Sequence, residues 1–143
     1  MARRTARRPA AAPPPTAGCP CGTGRPYGDC CGRLHSGAAG AASAEQLMRS
    51  RYSAFAVQDA GYLLRTWSAA TRPRELRLDA DVRWTGLDIL ATTGGTAFHT
   101  DGTVEFRAHF THDGRPGEQH ENSRFTREDG QWVYVSEAEA TPR

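Results

Sequence analysis

"HENSRFTREDGQWVYV", residues 120–135, decides the fold. Asp129-Gly130 separates two alternating runs, and Asp-Gly is a strong signal for a two-residue hairpin turn whose central residues both take positive φ. Closing the chain there sets Phe125 opposite Tyr134 and Arg127 opposite Trp132. Strand parity then places Glu121 and Ser123 on the face of Phe125. A lone hairpin is marginal in water, so the preceding chain has to supply more strands and a cover for the apolar face.

It supplies both. "TVEFRAHFT", 103–111, alternates Val104, Phe106, Ala108 and Phe110 on one face with Glu105, Arg107 and His109 on the other. "VRWTGLDILATT", 82–93, reads as a strand bent at Gly86, with a turn at Gly94-Gly95. "THDGRPGEQ", 111–119, reads as a polar loop. Upstream, the period changes to that of a helix. Ser43 followed by Gln46 matches a capping box. Met48, Tyr52 and Phe55 then form one apolar stripe, with Arg49, Ser50, Ser53 and Gln58 mainly off it. Arg49 and Arg51 read most simply as solvated helix residues, the alternative being that one of them snorkels toward Glu121. Asp59 caps a second helix carrying Tyr62, Leu63, Thr66 and Trp67, and Pro73 in "SAATRPREL" ends it, with a short helical turn expected near Arg74 to Leu76. Helices followed by about four antiparallel strands make an α+β layer arrangement.

The remaining signal is "GCPCGTGRPYGDCCGRLH", 18–35, which holds all four cysteines of the chain. The opening "MARRTARRPAAAPPPTAG" has no continuous apolar segment of a secretory signal, and no later run approaches a membrane helix. A cytoplasmic setting follows as the expectation, and there thiols stay reduced. Cys19 and Cys21 are one residue apart and Cys30 and Cys31 adjacent, so pairing within either couple would strain a disulfide. Four thiolates around a tetrahedral Zn²⁺ need no such geometry. Structural zinc is the reading, and free or redox-active thiols are the alternative.

At these residues the chain resembles a known motif. Cys-Pro-Cys-Gly-Thr-Gly, eight residues after Cys21, and Cys30-Cys31-Gly look like the SEC-C knuckle found at the C-terminal tail of the SecA translocase ATPase. Carried over, the resemblance implies Cys19, Cys21, Cys30 and Cys31 as ligands, with His35 as a possible substitute or a surface or outer-shell residue. "MRSRYSAF", "YLLRTW", "WTGLDIL", "VEFRAHF" and the hairpin stretch extend the resemblance, from residue 18 to 136, to the YchJ family. That family joins an N-terminal SEC-C knuckle to a nuclear-transport-factor-2-like domain, a curved sheet wrapped on helices as a cone. This chain departs in its Arg/Pro-rich start and in lacking a second, C-terminal knuckle. The resemblance implies a fold and a metal but no reaction.

The expected organisation is a disordered tail over 1–17, the knuckle over 18–37, the cone over 38–138 and a short tail over 139–143. "SGAAGAAS", 36–43, serves as a linker, and a core over 44–138 separate from the knuckle would survive chelation. If Phe125 is core, Glu121 points inward. Arg51 or Arg124 would then be its ion partner, and His109 or His120 its partner in acid–base work. Glu121, Ser123, Trp84 and Tyr52 are the candidate ligand-binding residues. Trp67 and Trp132 could join them, although core packing is the commoner fate of such rings. Neither a catalytic carboxylate pair nor a nucleophile with its base is evident. Arg3, Arg4, Arg7 and Arg8 supply four of eighteen basic residues. The remaining fourteen face sixteen acidic ones, so the body carries about −2. The tail can hold nucleic acid by counterion release, or reflect the bias of a chain without lysine. Two function classes follow: a zinc-stabilised module whose knuckle docks a protein or ribosomal partner, and a small-molecule binder or enzyme using the cone near Glu121.

Overall fold

The computed structural model describes residues 13–138, so the Arg-rich start up to residue 12 and the last five residues lie outside the description. Four strands, β1 (Val82–Gly94), β2 (Asp101–His112), β3 (Arg115–Glu128) and β4 (Gln131–Glu137), form an antiparallel meander in the order β1-β2-β3-β4. The β3–β4 hairpin closes at Asp129-Gly130 with φ of 54° and 79°, pairing Phe125 with Tyr134 and Arg127 with Trp132. The strands are long, and β1 slips register between Trp84 and Gly86 and again between Ile89 and Ala91. Such bulges bend a strand and add twist, which curves the sheet.

The segment read as a polar loop over 111–119 is instead a second tight hairpin. Asp113-Gly114 takes φ of 53° and 80°, and β2 and β3 stay paired down to His112 and Arg115. The Asp-Gly signal lies in the sequence, and Pro116 beside it is compatible with a strand. Pro116 pairs with Thr111, one step beyond the closing pair, so its missing N–H would have pointed away from β2. On that far side β4 reaches only as far as Ser123, and the proline sits harmlessly on an edge.

Of three α-helices, α1 (Cys31–His35), α2 (Ala44–Ala56) and α3 (Ala60–Arg65), α2 lies on the inner face of the sheet, and α1 and α3 pack against α2. Ser43 caps α2 by accepting the Gln46 N–H at 3.1 Å, and Gln46 Oε1 reaches back to the Ala42 N–H at 2.6 Å. Asp59 caps α3 through the Tyr62 N–H at 3.0 Å. Thr66 and Trp67 fall just past that helix, and the turn expected near Arg74 does not form. Trp67 instead bridges to Tyr134 of β4.

The inner face of β2 (Val104, Phe106, Ala108) and Phe125 of β3 pack under Leu47, Met48 and Tyr52 of α2. A fully buried Phe or Leu of this kind contributes about 1.5–3 kcal/mol. Cys19, Cys21, Tyr27 and Cys31 belong to the same cluster. Two sequence expectations change here. Ser50 and Ser53, read as off the buried stripe, are wholly inaccessible: Ser53 Oγ faces Cys19 Sγ, and Ser50 Oγ meets the Tyr62 hydroxyl of α3 at 2.7 Å. Residues 14–17, read as part of a disordered tail, bond into the knuckle: Pro15 and Ala17 carbonyls accept the Gly28 and Tyr27 N–H groups at 2.9 and 2.7 Å.

Candidate metal centre and inner cavity

The knuckle folds from its own turns. Gly22 and Gly24 take positive φ, and Gly18 bridges to Pro26, which folds the strand carrying Cys19 and Cys21 back on itself. A single turn over Tyr27–Asp29 leads into α1 and presents Cys30 and Cys31 to the first pair. Gly32 is required by close approach, since a Cβ there would meet the Tyr27 carbonyl oxygen at 2.7 Å. All four Sγ atoms consequently lie within 4.8 Å of one another. None is in a disulfide, and Cys21 Sγ and Cys30 Sγ are 3.6 Å apart.

That spacing fits a metal. Ligands about 2.3 Å from a tetrahedral zinc stand about 3.8 Å apart, near the observed thiol pair and far from a disulfide bond. The electrostatics agree. Cys19 is pushed far down by hydrogen bonds from Cys21 and Cys31. Cys21 and Cys31 are pushed up, chiefly because each donates to Cys19, with burial adding to both. A cation would take the place of the shared protons on Cys21 and Cys31 and favour their thiolates.

The surroundings are polar where sulfur needs donors. Ser53 Oγ lies 3.7 Å from Cys19 Sγ, and Thr23 Oγ1 lies 3.3 Å from Cys30 Sγ. Arg49, read as solvated, is half-buried and donates from Nη1 to the Cys21 carbonyl at 3.1 Å. His35 is not in the ligand group. Its Nε2–H donates to the Ser50 carbonyl at 2.9 Å, and Nδ1 meets the Tyr27 hydroxyl at 2.6 Å. Its ring pins the knuckle to α2.

On the opposite side of α2 a cavity of about 240 Å³ opens toward the sheet. Tyr52, Trp84, Glu121 and Ser123, singled out in the sequence, all line it, with Trp67 beside them. Trp132 packs in the core elsewhere. Glu121 is only half-buried; Gln119 Nε2 donates to its Oε1 at 2.9 Å and the Tyr134 hydroxyl to its Oε2 at 3.3 Å. None of the expected charged or acid–base partners reaches it. Parity puts His109, His120 and Arg124 on the outer face of the sheet, where His109 meets Asp88 at 2.8 Å and His120 meets Glu105 at 2.7 Å.

Arg51 is the residue sequence reasoning misjudged. Read as solvated, it is only 4% exposed and lines the cavity. Nη1 donates to the Leu63 carbonyl at 2.8 Å and to Thr66 Oγ1 at 2.7 Å. Its guanidinium carbon lies 5.1 Å from the Trp67 ring centroid and 4.8 Å from that of Tyr134. The signal that could have found it was position: Arg51 lies one residue before Tyr52 and three after Met48, at the edge of the apolar stripe.

No helix among the described residues is long and apolar enough to cross a membrane. The SEC-C motif profile matches residues 16–33, and the profile of the YchJ middle, NTF2-like domain matches residues 43–137. A UPF0225 protein of Streptomyces coelicolor is 59% identical over 121 residues, covering 85% of this chain and 94% of its own. One from Corynebacterium glutamicum is 53% identical over 116 residues, covering 81% and 92%. The solution structure of a SEC-C motif containing protein from Rhodopseudomonas palustris superimposes with a TM-score of 0.75 at 32% identity, covering 87% of this chain and all of that one. A crystal structure of a SEC-C motif containing protein from Psychrobacter arcticus gives 0.69 at 27% identity, covering 87% and 84%. With the cysteine knuckle seated on the helix that also roofs the sheet, and both parts matched along nearly all the described chain, the protein belongs to the YchJ (UPF0225) family.

Proposed function

We propose that this protein is a zinc-stabilised interaction module. Cys19, Cys21, Cys30 and Cys31 hold one structural Zn²⁺, and the knuckle rim docks a protein or ribosomal partner. The convergence of all four Sγ atoms within 4.8 Å carries this reading. Four protein ligands close a tetrahedral site and leave no open position for substrate, which favours a structural metal over a catalytic one. The rim from Gly22 to Pro26 is exposed, whereas Cys19, Cys21 and Cys31 are turned inward onto α2. The metal in this reading shapes the surface and takes no part in contacts.

Elemental analysis of the purified protein should return one zinc per chain, and each Cys→Ser variant should lose most of it. A chain without metal, with all four thiols titrating as free, would sink the reading. For docking, Arg25→Glu on the rim leaves the ligands alone. It should weaken co-sedimentation with purified ribosomes while the zinc stays in place. The cavity under α2 favours a second reading, in which the cone binds a small molecule.

A further inference from the structure

Arg51 carries five N–H donors, and only Nη1 is used, by the Leu63 carbonyl and the Thr66 hydroxyl. Nε–H and Nη2 take no acceptor among the described residues, and Arg51 makes no ion pair among them. Burial of a guanidinium is costly unless its charge is met. The desolvation lowers its pKa to about 10, still high enough to keep it charged at neutral pH. Glu121 is the one carboxylate on the cavity wall, and each of its oxygens already accepts one hydrogen bond, from Gln119 and from Tyr134, with neither coming from Arg51. Trp67 Nε1 on the same wall is a second buried donor without an acceptor among the described residues. The wall therefore carries one buried cation, Arg51, whose Nε–H and Nη2 have no acceptor among the described residues. Its other walls are aromatic and apolar, with Tyr52, Trp84 and Phe106 facing the space.

Size narrows the occupant. An apolar cavity near 150 Å³ takes benzene, so about 240 Å³ suits one or two fused rings with a small polar group. It is too small for a nucleotide or a dinucleotide cofactor. We propose that the cavity binds a small aromatic carboxylate, whose carboxylate takes the free N–H donors of Arg51 while its ring lies against Tyr52, Trp84 and Phe106. This rests on the reading of the cavity as a ligand site.

Calorimetric titration of the full-length, zinc-loaded protein with 1-naphthoate and its neutral isostere 1-naphthamide tests it. Naphthoate should bind at one site, at least tenfold more tightly than naphthamide. Arg51→Gln should bring the two probes level, and Ala108→Phe, which fills the cavity from β2, should abolish binding of both. Amide-proton spectra establish that each variant is folded. If Arg51→Gln does not fold, the wild-type ratio and Ala108→Phe decide. Equal binding of the two probes by wild type would overturn the anion assignment while leaving an apolar ligand site. Tighter binding of 1-naphthylmethylammonium would overturn it in favour of Glu121. Absence of any probe binding, or binding untouched by Ala108→Phe, would overturn both the assignment and the ligand-site reading.

Discussion

Glu121 accepts a hydrogen bond at each carboxylate oxygen, from Gln119 and from Tyr134, at the half-buried mouth of the cavity. Its role in this geometry is to hold Tyr134, whose ring also flanks Arg51. Burial pushes the Tyr134 hydroxyl up to about 12, and the negative charge of Glu121 adds to the shift. Glu121→Gln removes that charge, so the Tyr134 pKa should fall yet stay above the free value of about 10, since burial is the larger cause. Ultraviolet titration against a Tyr134→Phe control reads this directly, and an unmoved Tyr134 would break the link. The stability loss should be on the order of 1 kcal/mol, the low end for a charged hydrogen bond, because solvent reaches the carboxylate. Glu121 was legible as inward-facing from strand parity alone. That its partners are Tyr134 and Gln119 rather than an arginine was not, because parity assigns a face and says nothing of which neighbour on that face comes near.

At the scale of elements, α2 is the hinge between sheet and knuckle, and its N-cap is the local signal that starts it. Ser43→Ala removes the acceptor of the Gln46 N–H and should cost about 1 kcal/mol in denaturant unfolding. The connection after α3 is tied down differently. The Glu128 carboxylate of β3 accepts from the Ser68 hydroxyl and from the Ala69 N–H at 3.2 Å, and these bonds lower its pKa, the Ser68 hydroxyl most. A carboxyl whose folded pKa is depressed contributes stability above its unfolded pKa, lost as pH falls through the folded one. The melting difference between wild type and Glu128→Gln should therefore be full at neutral pH and shrink below about pH 4. A difference constant across that range would show that the carboxylate charge is irrelevant. The hairpin at Asp129-Gly130 and the capping residues Ser43 and Asp59 were readable because each acts within a few residues of itself. The hairpin at Asp113-Gly114 carries the same turn signal inside a polar stretch that also holds Pro116. Whether a proline is tolerated depends on which side of a strand is unpaired, and that is a property of the sheet.

Over the whole molecule, the cysteines are part of the core and not an appendage to it. Cys19, Cys21 and Cys31 pack in one cluster with Leu47, Tyr52 and Phe125, and His35 ties α1 to α2. With zinc in place, chelation should lower the stability of the entire chain, by on the order of 3 kcal/mol. That lies well below the binding energy of isolated zinc peptides, because the sheet and α2 keep contacts of their own. A single melting transition moved to lower temperature is the expected result. A body melting at an unchanged temperature after metal loss would restore the separate-core expectation drawn from the sequence.

Local chemistry determined what the sequence could reveal. Turn residues with positive φ, caps three residues from their donors and strict alternation specified the helices, the two-residue turn at Asp129 and the inward face of β2 and β3. The spacing of four cysteines pointed to a metal centre. Tertiary structure decided what depends on two distant segments meeting. A helix shows one apolar stripe in its sequence, and nothing in that stripe tells that small residues such as Ser50 and Ser53 will be sealed by a second partner. Nor does a charged residue beside the stripe reveal whether its head will reach water. Arg51 does not, because Trp67 and Tyr134, 16 and 83 residues further along the chain, close over it and leave its unused donors facing the cavity.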